Sequence, residues 1–225
     1  MSTGLSFIKN IQPTSATIVK VVLIIFFSVG VSGIMLNSTR DIFIKLTPLA
    51  LVLSLLVIMV YHRPRNLLKE FIFFSAICTA GFLVEAYGVN SGRIFGIYSY
   101  GEGLGIKLLD TPLLIGVNWI FMVYCTAAIT DRTAHPVVFK VFFASMLMLF
   151  YDLVLEQVAP LMNMWSFEGG TAPLKNYLAW FILALIFHSS VKLAGIKIVN
   201  RIAPFVLLVQ FLFFVILTIF FNLAE

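Results

Sequence analysis

Apolar and polar positions alternate along this chain in long blocks. Seven apolar runs stand out, at about 18–36, 42–60, 67–86, 112–130, 137–158, 174–190 and 203–222. Each is near the roughly 20 residues a helix needs to cross the hydrocarbon core of a bilayer. Only a helix or a closed barrel satisfies its backbone polar groups there. The pattern predicts an all-α, polytopic transmembrane bundle of about seven spans, folded as one domain over residues 1–225. The first run lacks a small-residue cleavage site and is expected to be a retained span, not a signal peptide. No internal repeat or low-complexity tract interrupts the series.

Composition supports this reading and narrows the function. With 61% hydrophobic and 11% charged residues, a soluble fold could not hide the apolar surface. The net charge of +5 does not argue for nucleic acid, because the basic residues sit mainly in short loops where they set orientation. Ten fall on the side of the N-terminus: Lys9, Lys20, Arg63, Arg65, Lys69, Arg132, Lys140, Lys192, Lys197 and Arg201. Five fall on the other: Arg40, Lys45, Arg93, Lys107 and Lys175. This asymmetry predicts a cytoplasmic N-terminus and an outside C-terminus, with the bacterial inner membrane as the expected setting.

Several chemistries are disfavoured. Cys78 and Cys125 lie inside apolar runs and read as small buried residues, not a disulfide. His62, His135 and His188 are scattered, lack metal-ligand spacing and are expected in loops or interfaces on the cytoplasmic side. The last run has no lysine for a retinal Schiff base, and no aspartate-rich pair suits a magnesium diphosphate.

Unusual residues gather on the predicted outer side. The connection 87–111 holds six of the fourteen glycines, and 159–173 carries Trp165, Gly169 and Gly170. The glycine-rich segment is expected to be partly re-entrant and to cap a cavity, since irregular backbone at membrane depth must be satisfied by protein or water. Its aromatics Tyr87, Phe95, Tyr98 and Tyr100 suit either an interfacial belt or a ligand wall.

Asp152 and Glu156 are four residues apart near the end of run 137–158, so both lie on one helix face. Glu85 ends run 67–86. Acids within apolar spans are functional candidates by default. One reading is structural, with the pair holding loop backbone or a basic partner such as Arg93. The other is catalytic: apolar surroundings favour the neutral acid, and neighbouring carboxyls share a proton. Glu85 could share that proton, hold a water or stabilise a cation. Trp119, Trp165 and Trp180 are interfacial anchors or faces that stabilise a carbocation. Asn118 and Asn176 begin two runs, and Asn176 either caps a helix or orients a water.

These residues carry a family resemblance. The run E-A-Y-G-V-N-S-G-R-I-F-G-I-Y-S-Y-G-E-G-L-G from Glu85 to Gly105, followed by D-T-P-L-L-I-G-V-N-W from Asp110 to Trp119, resembles the membrane carotenoid 1,2-hydratase family. That family includes the gamma-carotene hydratases of bacteria and the bisanhydrobacterioruberin hydratases of archaea. Y-D-L-V-L-E-Q-V-A-P from Tyr151 to Pro160, then Trp165 and P-L-K-N-Y-L-A-W from Pro173 to Trp180, is similar to its other signature. Gln157 departs from the proline expected there, which bears on the direction of Glu156.

The resemblance implies addition of water across the terminal 1,2 double bond of an acyclic carotenoid of the gamma-carotene, torulene or lycopene type. The product is a tertiary 1-hydroxy end. Membrane lipid is the surrounding medium, and no redox cofactor or metal is implied. Asp152 is the expected proton donor with Glu156 its partner, and Glu85 the expected base or water-positioning group. Trp119 and Trp165 are the expected cation-facing walls, with Tyr98, Asn118, Asn176 and Trp180 also toward substrate. The alternatives are a membrane lycopene-type cyclase, which starts with the same protonation but excludes water, and a proton-coupled transporter or lipid-binding protein.

Overall fold

In the computed structural model, which describes residues 13–224, eight helices follow one another along the chain. They are α1 (Pro13–Met35), α2 (Arg40–Lys45), α3 (Thr47–Val60), α4 (Leu67–Ser91), α5 (Leu114–Thr130), α6 (Val137–Val158), α7 (Leu174–Leu193) and α8 (Ala203–Ala224). Lys9, one of the basic residues that set the orientation, lies outside the described residues. Five helices are long and apolar enough to cross a membrane: α1, α4, α6, α7 and α8. Their outer faces expose large apolar side chains such as Phe71, Ile72, Val138 and Phe142, which suits lipid as the surrounding solvent. The protein is an integral membrane protein.

The count of seven spans changes in detail. The expected run 42–60 is broken at Leu46 into α2 and α3, with Pro48 in the first turn of α3. Proline has no N–H to give and disfavours helix in the residue before it, so the chain restarts there. At 14 residues, α3 is about 21 Å long, short of a bilayer core. Helix α5 has 17 residues and is buried along most of its length. It packs against α3, α4, α6, α7 and α8 and forms the centre of the bundle. A Cβ at Gly81 of α4 would come within 2.5 Å of the Trp119 ring, so only glycine lets α4 lie this close to α5.

Strands add to the expected all-α architecture. β1 (Tyr98–Tyr100) pairs antiparallel with β4 (Trp165–Phe167), and β2 (Lys107–Leu108) with β3 (Thr111–Pro112). The first ribbon ties the α4–α5 connection to the α6–α7 connection. It continues past Tyr100, where the Gly101 N–H donates to the Met164 carbonyl at 2.8 Å and the Gly103 N–H to the Asn163 carbonyl at 2.6 Å. Any side chain at Gly101 would strike Asn163.

The opposite end of the bundle is held by buried polar groups. Asp131 accepts from the Lys192 ammonium and from the Ile198 N–H. The Asn200 amide donates to the Ile58 carbonyl at 2.9 Å and the Tyr124 hydroxyl at 3.1 Å, while its oxygen accepts from the N–H groups of Ile202 and Ala203. His62 bridges Tyr124 and Glu70, and burial pushes its imidazole below the usual range against the opposing pull of Glu70. His188 corrects the expectation of a loop or interface residue. It is fully buried within α7, bonded to Thr126 at 2.8 Å and the Ala184 carbonyl at 2.7 Å, because α7 runs on to Leu193. Asn200→Ala removes four hydrogen bonds, two of them to the N–H groups at the start of α8. It should lower stability by about 2–4 kcal/mol, measurable by thermal unfolding in detergent micelles.

Candidate active site

The alternation of aromatic and serine in Tyr98-Ser99-Tyr100 and Trp165-Ser166-Phe167 places all four rings on one face of the β1–β4 ribbon, while Ser99 and Ser166 face outward. That aromatic face covers the ends of α4 and α6. Beneath it lie Glu85, at 3% exposure, and Glu156, at 9%. Both the Tyr98 and the Tyr100 hydroxyls donate to Glu85 Oε2, at 2.8 and 2.9 Å. Trp165 Nε1 donates to Glu156 Oε2 at 3.0 Å. The ribbon register sets these contacts: Tyr100 stands opposite Trp165, so donors for the two acids come from one cross-strand pair. Burial, and then the neighbouring Glu85, push both phenols far above the ordinary tyrosine range, so they remain protonated donors.

Helix α7 closes the site. Asn176, in its first turn, donates from Nδ2 to Glu156 Oε1 at 3.0 Å and at 3.5 Å to Asp152 Oδ2. Asp152 Oδ1 is buried without a hydrogen-bond partner. Helix α6 runs straight through Gln157 to Val158, so Glu156 sits in its last full turn and points inward while Gln157 is exposed. Trp180 stacks on Trp119 with ring centroids 4.4 Å apart. The Trp119 N–H lies near Glu85 without an aligned hydrogen bond.

A small cavity of about 20 Å³ joins these groups. Seven of the nine residues expected to act on or meet the substrate line it: Glu85, Tyr98, Asn118, Glu156, Trp165, Asn176 and Trp180. Asp152 and Trp119 stand directly behind this wall. Tyr100, Phe95, Ile115 and Phe167 complete the lining. Tyr100 was readable only as a belt or wall aromatic; the two-residue period shared with Trp165 and Phe167 was the signal for its role. A larger apolar groove, about 260 Å³ between α1, α3 and α8, touches none of the three acids.

No ion pair among the described residues joins a basic side chain to Glu85, Asp152 or Glu156. Among the described residues, the ion pairs are His62–Glu70, Lys107–Glu102 and Lys192–Asp131, and Arg93 is exposed. Three adjacent buried carboxyls without a cation are costly to ionise together. The cluster is an acid site with an aromatic ceiling and an amide at its floor. Replacing both Tyr98 and Tyr100 by Phe keeps the rings and removes both donors to Glu85. Any activity of the site should fall roughly 10- to 100-fold, measured on purified protein in nanodiscs.

The family model for carotenoid biosynthesis proteins matches residues 46–225. The chain belongs to this family. The match takes in every residue of the acid site and leaves out α1 and α2. A carotenoid biosynthesis protein acts on a carotenoid, and the aromatic cavity lies within the matched region. No curated protein and no solved structure matches the chain.

Proposed function

We propose that this carotenoid biosynthesis protein is a cofactor-independent hydro-lyase that adds water to the terminal 1,2 double bond of an acyclic carotenoid. The observation that carries the reading is the pair Glu85 and Glu156, two acids without basic partners on the wall of one aromatic cavity. An unactivated alkene needs a strong local acid, and a tertiary cation needs π faces and a nearby anion.

The Asp152–Glu156 pair supplies the proton, with Glu156 the member that meets the substrate. The π pair of the C1–C2 bond takes the proton at C2, leaving a tertiary cation at C1 and a Glu156 carboxylate. The faces of Tyr98, Tyr100 and Trp165 surround the cation. A water oxygen bonds to C1, and the proton it sheds passes to Glu85. Proton return from Glu85 to the Asp152–Glu156 pair resets the site. The cavity as it stands is water-sized, so the end group enters by lifting the β1–β4 ribbon.

The test is turnover in deuterated water. The reading predicts one non-exchangeable deuterium at C2 for each hydroxyl gained at C1; a hydroxylated product without it would reject the acid mechanism. The acid site is further proposed to face outward from the cytoplasm, on the basic-residue asymmetry. A cysteine in place of exposed Glu168 should then react with a membrane-impermeant thiol reagent in intact cells, and protection until lysis would reverse the orientation.

A further inference from the structure

Next to the acid site is a second cavity, between α3, α5, α6 and α8. Its polar lining includes Thr47, Asn118, Tyr151 and Gln210. Gln210, which lines both this cavity and the apolar groove between α1, α3 and α8, is the sharpest case, at 7% exposure with Oε1 fully buried and unpartnered. Buried polar atoms in native proteins are almost always paired, so an orphan acceptor facing a cavity calls for a water or a ligand. The cavity volume is about 30 Å³, and a water measured the same way needs roughly 10–15 Å³ and two to four polar partners. One or two waters therefore fit, and an isoprenoid does not. The other walls include the apolar side chains of Leu51, Leu104, Leu155 and Phe214.

This space adjoins the acids. Ile115, Asn118 and Trp165 line both cavities, so a single layer of side chains separates them. Along α6, Tyr151 and Leu155 face the second cavity and Glu156 faces the first. The Asn118 amide, with donors and an acceptor, stands where a water would cross.

We propose that this cavity is the water store of the enzyme, with Gln210 as its positioning residue and Asn118 as the passage to the acid site. The inference rests on the hydration reading and says which feature makes the outcome hydration. Once C2 is protonated, the C1 cation has two fates. Water from the store bonds to C1 and gives its proton to Glu85, so the product gains one water. Without it, the cation returns a proton to a carboxylate or accepts the π pair of an internal double bond, then loses a proton. Those products keep the substrate's mass.

Gln210→Leu removes an amide whose oxygen has no partner among the described residues, so the fold should persist; Gln210→Met serves as a second variant of similar length. Radiolytic hydroxyl labelling in nanodiscs reads bound water directly, because trapped water oxidises adjacent side chains. Tyr151 and Met164 should label in the unaltered protein and several-fold less in both variants, with Phe213 of the apolar groove unlabelled throughout. In the same preparations, the ratio of hydrated to mass-unchanged product should fall about tenfold, as for loss of one hydrogen bond to the water. Unlabelled Tyr151 and Met164 in the unaltered protein, or equal labelling in the variants, would overturn the store. Reduced labelling with an unchanged product ratio would overturn its part in water supply. If the unaltered protein yields no hydrated product at all, the hydration reading fails while the labelling still reports on the cavity.

Discussion

Glu156→Gln should slow water addition by roughly 10²–10⁴-fold, the range for losing a general acid. The amide has nearly the shape of the acid but no proton to give. It also disturbs its surroundings. Both Glu156 oxygens accept hydrogen bonds, one from Trp165 Nε1 and one from Asn176 Nδ2. Facing Trp165 Nε1, a donor only, the glutamine NH₂ would clash; facing Asn176 it forces that amide to flip away from its bond to Asp152, so either orientation loses a buried hydrogen bond worth about 1–3 kcal/mol. The variant should therefore lose stability as well as rate. In deuterated water it should neither hydrate its substrate nor exchange hydrogen at the carotenoid end, because no cation forms.

Glu85→Gln should lose a similar factor, roughly 10²–10⁴-fold in hydrated product, yet differ in every other respect. The two phenols both donate to Oε2, and an amide oxygen can accept both in that place. Stability should scarcely change. The acid pair across the cavity is intact, so protonation of C2 continues, but nothing takes the proton from the adding water. Deuterium exchange at the end group should persist while the hydroxylated product disappears. The same exchange pattern in the two variants would contradict the separate roles given to Glu85 and Glu156.

Much of this site was readable from the chain because its chemistry is written in residues that apolar helices rarely carry. Acids in lipid-length runs are conspicuous, and the four-residue spacing of Asp152 and Glu156 already placed them on one face. Asp152 was expected to be the donor, but spacing along a helix says nothing of which acid reaches open space. The cavity wall carries Glu85 and Glu156, and Asp152 stands behind them. The ribbon escaped notice because a two-residue period over only three residues is too short to stand out, and each strand's partner lies more than sixty residues away. Gln210 escaped for a different reason. One amide in an apolar helix gains meaning only when the cavity beside it is known. The break at Leu46 was legible in Pro48, whose missing N–H outweighed the apolar run around it.

The central claim is that a proton and a water are added to an acyclic carotenoid end. The most direct measurement is pigment analysis of cells that accumulate gamma-carotene and lycopene and express this chain, by liquid chromatography and mass spectrometry. The account predicts a new pigment heavier by one water, absent when the Glu156→Gln chain is expressed at the same level in the membrane. A new pigment of unchanged mass with a cyclised end would contradict it and make the same acid site that of a cyclase.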